Sequence, residues 1–202
     1  MAQREIAGVH LPKSKTTQRT FEAILASAEK LFSQNGYLST TISDITKAAN
    51  VATGSFYSYF ESKYAVYEYI LERYKAELKS NLAKNIEGCT TRAERERVGL
   101  KTFIQDAVRN PRCFHLVWES LYINPDLFRR YYQSFAEGYA RALSRDKEEL
   151  TTDDLSMAAY VLIGINNFMG LKALFEQADE ESIDKLVDGV IEILQKGLFV
   201  EK

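Results

Sequence analysis

Apolar side chains in this chain recur every three or four positions almost from end to end, and that period is the strongest limit on its fold. Strand-like alternation is rare. The three prolines, Pro12, Pro111 and Pro125, stand where the apolar runs break, as helix edges require, because proline lacks the N–H that a helix interior uses. The pattern predicts an all-α chain. With 202 residues, 46% hydrophobic and 27% charged, it is long enough to bury a core and has the balance of an ordinary soluble globular protein.

Local signals predict the helix edges. Residues 1–16 have no period and several basic side chains, and read as a flexible basic arm. A first helix is expected over residues 17–34, with Phe21, Ile24, Leu25, Ala28, Leu31 and Phe32 on one stripe and Gly36 just past its end. Thr41 and Asp44 have capping-box spacing at the start of a short second helix that turns Ile42, Ile45 and Ala49 inward. A third is expected over residues 53–60, and Ser62 opens a fourth that ends near Gly88. Further helices are expected over 92–109, 111–123, from the Asn124 cap and Pro125 to about 148, then 152–177 and 182–199. The last is apolar on two faces and needs a second partner surface.

Two cysteines, Cys89 and Cys113, and two histidines, His10 and His115, are too few and too scattered for a disulfide framework or a zinc site. No metal and no cofactor is expected. The uncharged run 155–171 is interrupted by Ser156, Gly164, Asn166, Asn167 and Gly170, which argues against a membrane span. No apolar leader with a cleavage site is present near the start, so a cytoplasmic protein is expected. Net charge is −2, yet residues 1–63 hold seven Lys/Arg against five Asp/Glu, a mild positive balance at the front.

Three short helices with a tight connection between the second and third match a helix-turn-helix, whose last helix lies in the major groove. The segment "FEAILASAEKLFSQNGYLSTTISDITKAANVATGSFYSYFESKYAVYEYIL" resembles the N-terminal DNA-binding segment of the tetracycline-repressor (TetR) family of bacterial transcription regulators. The landmarks are "LFSQNGY" ending the first helix, "TTISDI" opening the second, "AANV" at the turn and "TGSFYSYFESK" through the recognition helix. The resemblance implies an all-helical homodimer with a DNA-binding domain at residues 17–63 and a ligand-binding and dimerisation domain at 64–202. It also implies a repressor on a palindromic operator in double-stranded DNA, released by a small-molecule effector.

Within that frame, Phe56 and Phe60, four apart, point into the three-helix core with Ile45 and Phe32. Thr53, Ser55 and Tyr59 are left as base-edge readers, and Gly54 allows close backbone approach to a phosphate. Tyr57 and Lys63 match the family's phosphate-contacting tyrosine and lysine. Thr41 serves as cap and phosphate contact together, while Ser43 and Lys47 are equally at home as ordinary exposed residues. The family often has serine at the start of the recognition helix with a basic residue after it. Here Ala52 and Thr53 stand there, so Thr53 is expected to supply the cap, and Lys63, Lys47, Arg4, Lys13, Lys15 and Arg19 the phosphate attraction.

The rest of the chain is rich in rings. His115, Trp118, Glu119 and Tyr122 share one helix face, as do Tyr131 and Phe135 further on, and with Phe168 they line either a largely apolar effector pocket or an ordinary core. His115 and Glu119, four apart, are expected to hydrogen-bond. No nucleophile–base–orienter set and no Gly-rich phosphate loop is found, so an enzyme is not expected. Leu162, Ile165 and Met169, with Val187, Val190 and Leu194 of the last helix, are the candidate dimer interface. The alternative is a helical ligand-binding protein or enzyme without DNA binding, distinguished by whether the chain binds the DNA flanking its own gene.

Overall fold

A computed structural model describes residues 6–197. Among them are nine α-helices and no strand: α1 (Lys15–Asn35), α2 (Ile42–Ala48), α3 (Thr53–Tyr57), α4 (Lys63–Asn85), α5 (Arg92–Arg109), α6 (Pro111–Ile123), α7 (Pro125–Leu143), α8 (Leu155–Phe175) and α9 (Glu180–Lys196). A 3-10 helix, Ser144–Glu149, takes over where the helix that starts at Pro125 was expected to run on to about residue 148. Residue 199, the expected end of the last helix, and Arg4 of the arm lie outside the described residues.

The ends follow the side-chain chemistry. Ser14, Thr41 and Thr91 each close a capping box, accepting the amide of Thr17, Asp44 and Glu94 respectively. Ser62 accepts the Ala65 amide, and Asn124 those of Asp126 and Leu127. Each such cap contributes roughly 1 kcal/mol. Gly36 ends α1 at φ +80°, a conformation that glycine adopts without a Cβ penalty.

The chain divides into two compact units. The first comprises residues 6–76 with Arg112–Phe128. Its core is aromatic: Phe21, Phe32, Phe56, Phe60 and Tyr67 are buried with Ile24, Leu25, Ile45 and Ile70. Phe21 stacks on Phe60 with centroids 4.9 Å apart, and Tyr69 meets both edge-on. Helix α6 belongs to this unit although nearly fifty residues separate it from the start of α4. Its Leu116 carbonyl accepts from the buried Tyr67 hydroxyl at 2.6 Å, and Asn124, just past it, donates to the Tyr64 hydroxyl at 2.8 Å.

The arm is not free throughout. His10 donates its amide to the Tyr59 carbonyl at 2.7 Å and Glu61 donates to the Gly8 carbonyl at 2.9 Å, so that Val9 and Phe60 form an antiparallel bridge. The third helix is also shorter than expected. Helix α3 stops at Tyr57, not at residue 60: residues 58–59 form a turn and Phe60 bridges to the arm. Gly8 sits at φ +74°, where a Cβ would lie 3.2 Å from Glu61 Oε2 and 3.3 Å from Glu61 Cβ. Gly8→Val is therefore expected to cost about 1–3 kcal/mol through backbone strain and crowding, measurable by urea denaturation, with faster amide exchange at Glu61.

The second unit comprises Glu77–Pro111 and residues 129–197. Helix α5 packs on both α8 and α9, and Leu100, Ile104, Ala173, Ile183, Val187 and Ile191 form its buried cluster. A polar network crosses the interior. The Tyr139 hydroxyl donates to Glu96 Oε2 at 2.5 Å, and Arg92 pairs with Glu96 at 2.6 Å and with Asp146 at 3.3 Å. Burial pushes the Glu96 carboxyl above its ordinary range, against the pull of the Arg92 charge. Helix α8 has the length and apolarity of a membrane span, yet Asn166 and Asn167 are buried on it, and Asn167 is held by the Tyr132 hydroxyl and the Ile163 carbonyl. Those partners fit a core helix of a packed bundle.

Candidate nucleic-acid interface

Helices α1, α2 and α3 pack pairwise, and each owes its angle to rings from the same short stretch. Phe56 and Phe60 are fully buried, as the four-residue spacing predicts, which leaves the opposite side of α3 in solvent. Thr53, Gly54 and Tyr57 are exposed and Ser55 is half-buried, with Tyr57 52% exposed. Ser43 and Lys47 are exposed on α2. These five side chains and Gly54 make a surface of hydroxyls and one phenol, with Lys47 its single cation. A Cβ at Gly54 would meet nothing within 4 Å, so its value is backbone access and not internal room.

Four expectations change. Tyr59 is only 9% exposed and meets Phe21 edge-on at 5.7 Å, so it is a core ring and no base reader. The residue lies in the turn after α3 and not on the helix, so helical spacing does not set which way its ring faces. Thr53 does not cap α3; Ala52 is the N-cap residue, and no side chain caps there. Thr41 is fully occupied, since its hydroxyl donates to Asp44 Oδ2 at 2.6 Å and accepts the Asp44 amide at 3.1 Å. A hydroxyl has one proton to donate, so Thr41 has none left for a phosphate. The same bonds hold the Asp44 carboxyl below the usual carboxylate range, which keeps it a full acceptor.

Lys63 is the fourth. Its ammonium donates to the carbonyls of Tyr37 and Thr40, both at 2.6 Å, and lies 4.3 Å from the Tyr37 ring centroid. Two of three donors are thus committed to the α1–α2 turn. Burial pushes the ammonium below its ordinary range, opposed by the charge of Glu119. The lysines and arginines exposed on this unit, among the described residues, are Lys13, Lys15, Arg19, Lys30, Lys47 and Arg112.

The expected effector residues do not share one setting. On α6, Phe114, Leu116, Val117 and Ser120 are buried, while His115 is exposed and Tyr122 is 88% exposed. A three-and-four spacing identifies a face but not which face turns inward. Glu119 does not bond His115; its Oε1 accepts the Tyr37 amide at 2.8 Å. Trp118 packs near Phe128, with centroids 6.3 Å apart. In the second unit Tyr131 is buried against Phe135, Lys79 lies over the Phe135 ring at 4.7 Å, and Phe168 is 63% exposed, too open to line an enclosed pocket. An open groove of about 420 Å³ lies elsewhere in that unit, between Asn85, Arg97, Lys101, Gln105 and Asp184, where Arg97 pairs with Asp188 and Lys101 with Asp184.

The candidate dimer residues also divide. Val187 is buried in the core cluster, and Met169 and Val190 pack against it, so these three serve the protomer itself. Leu162 and Ile165 are half-buried and Leu194 is 39% exposed. Sequence reasoning missed the open face of α8, where Met157, Tyr160, Val161, Phe168 and Phe175 are 61, 47, 52, 63 and 78% exposed. Their spacing puts them on one stripe, about 100° round the helix from Leu162, Ile165 and Met169. The signal was present, but a helix apolar on so many sides does not reveal from its period alone which stripe the core takes.

Residues 24–70 match the family model "Bacterial regulatory proteins, tetR family". The HTH-type transcriptional repressor NemR of Escherichia coli is 38% identical over 72 residues, 36% of this chain and 36% of that protein. The chain spans about a third of the length of the curated relatives it matches. The fatty acid degradation regulator FadR of Bacillus halodurans superposes with a TM-score of 0.78 at 17% identity, over 95% of this chain and all of that one. AibR, solved with isovaleryl coenzyme A and operator DNA, superposes at 0.67 with 14% identity, over 86% of this chain and 97% of that one. These two likenesses establish the shared fold. The matched segment at its front, which carries α2 and α3, is similar to the tetR family of bacterial regulatory proteins.

Proposed function

We propose that the protein is a cytoplasmic DNA-binding transcription regulator and not an enzyme: a repressor that grips a palindromic operator as a homodimer and leaves it when a small, largely apolar molecule binds. The observation that carries this reading is the pairing, over residues 53–60, of two buried rings, Phe56 and Phe60, with an open surface of Thr53, Gly54, Ser55 and Tyr57, inside the segment that matches the family. Side chains of that kind suit a groove: Thr and Ser meet base edges and the thymine methyl, and a phenol donates to a phosphate. Lys47 and the exposed Lys13, Lys15 and Arg19 supply the salt-dependent attraction that the neutral helix lacks.

The dimer is supported by the open stripe of α8. Five large apolar side chains on one helix face, joined by Ile193 and Leu194 of the neighbouring α9, form the sort of patch that monomers rarely leave in water. A second copy of the same pair covers it as a four-helix bundle, and two-fold symmetry then presents two reading helices to two half-sites. A small-molecule effector is supported by AibR, which was solved in complex with isovaleryl coenzyme A and operator DNA.

Selection of bound duplexes from a random pool tests the reading. The expected product is an inverted repeat whose half-site centres lie about one helical turn apart or a multiple of it, bound less tightly as salt rises. Tyr57→Phe is expected to weaken all sequences alike, and Ser55→Ala or Thr53→Ala to alter preference at one position by about 1–3 kcal/mol. Binding without sequence preference, or none at low salt, would overturn it.

A further inference from the structure

The α1–α2 turn is gripped from two sides, and one grip comes from 82 residues away. The amide of Tyr37 donates to Glu119 Oε1 on α6 at 2.8 Å, while the carbonyls of Tyr37 and Thr40 accept from Lys63 at the start of α4. Gly36 adjoins this contact: its φ of +80° favours glycine, and a Cβ there would stand 3.4 Å from Glu119 Oε1, an ordinary contact. The turn is short. Thr40 is fully buried and returns its hydroxyl to the Gly36 carbonyl at 2.9 Å, and the next residue, Thr41, is the N-cap of α2. From Glu119 to the first turn of the reading pair the path runs through Tyr37, Thr40 and Thr41, each held by a named bond.

We propose that Glu119 is the positioning residue through which helix α6 sets the α1–α2 turn and, with it, the angle at which α2 and α3 meet DNA. The proposal rests on the DNA-binding reading above. It also gives that reading a route for regulation: a ligand that shifts α6 must either drag the turn or break one charge-assisted bond, without first displacing α4. Helix α6 has two other ties within the unit, the Tyr67 hydroxyl on the Leu116 carbonyl and Asn124 on Tyr64, but both end on α4. Glu119 alone among these ties reaches the turn.

Stability does not explain the residue. Glu119 Oε2 is buried with no hydrogen-bond partner among the described residues, and an unsatisfied buried carboxylate oxygen offsets much of what the bond to Tyr37 contributes. Removing the side chain therefore should leave the unit folded, because Lys63 and the Gly36 cap still close the turn.

The test uses the full chain with Glu119→Ala, Glu119→Gln and Glu119→Asp. Glu119→Ala is expected to denature at nearly the wild-type urea concentration, to raise amide exchange at Tyr37 about tenfold, and to weaken the selected duplex about tenfold. The salt slope should not change, because no phosphate contact is lost, and α8 and α9 should exchange as before. Glu119→Gln keeps the acceptor and should stay within about threefold of wild type. Glu119→Asp keeps the charge but withdraws the acceptor and should follow Glu119→Ala, which also serves if the alanine variant does not fold. Unchanged exchange at Tyr37 overturns the proposal, as does raised exchange with unchanged affinity, which would make the bond a local brace only. If the wild type binds no duplex, the DNA-binding reading falls, and exchange over residues 36–41 alone decides whether Glu119 sets the turn.

Discussion

Phe60→Ala is expected to lower the unfolding free energy of the first unit by about 3–5 kcal/mol, the range for truncating a fully buried phenylalanine. The side chain is at the crossing of three others: it stacks on Phe21, tilts against Phe56 at 5.7 Å and meets Tyr69 edge-on at 6.1 Å. Its backbone carries the bridge to Val9. Truncation therefore leaves a cavity lined by rings that belong to α1, α3 and α4 at once. Such rings cannot collapse onto one another without moving the helices that carry them, so most of the cavity term should persist. Urea denaturation followed by aromatic fluorescence measures the loss, and DNA binding should vanish with it at moderate temperature. A loss below about 1 kcal/mol would mean that the aromatic cluster is not what seats the recognition helix.

Phe168→Glu is expected to turn the dimer into monomers at micromolar concentration and to weaken operator binding by about 100-fold or more. Phe168 stands in the middle of the α8 stripe, 63% exposed in one protomer, so the carboxylate is fully hydrated in a monomer. In the homodimer proposed above the α8 stripe is the apolar seam, where an unpaired buried charge costs about 3–5 kcal/mol. A loss of about 2.7 kcal/mol is already 100-fold. Sedimentation at several concentrations reads the association directly, and helicity by circular dichroism verifies that the protomer is intact. A variant that stays dimeric would remove α8 from the interface. The comparison substitution is Val187→Glu, which should unfold the second unit instead, since Val187 is 1% exposed inside the protomer's own core.

The contrast between Phe168 and Val187 marks the limit of what the one-dimensional pattern holds. Capping is local. Thr41 and Asp44, Thr91 and Glu94, Ser62 and Ala65 are three residues apart, so their bonds are legible wherever the sequence is. The same holds for Phe56 and Phe60, which must share a helix face or its continuation whatever surrounds them. The all-α class, most helix boundaries to within two or three residues, and the family resemblance of the front segment therefore followed from the residues alone.

Side chains whose partners are distant in sequence did not follow. Tyr59 was expected to face the groove, but its ring packs edge-on against Phe21 of α1, 38 residues upstream. Lys63 was expected to meet a phosphate, yet two carbonyls from residues 37 and 40 hold it. His115 and Glu119 have the spacing of a bonded pair, but Glu119 meets the amide of Tyr37. Helix α8 is apolar on nearly every side, so its period is compatible with several faces, and only the position of α5 decides that Ala159, Ile163, Gly170 and Ala173 go inward and Phe168 outward. Propensity and capping act over one turn of backbone and are written in neighbouring residues. The choice among chemically equivalent partners is made by packing, where the competing contacts differ by little until the whole core is assembled.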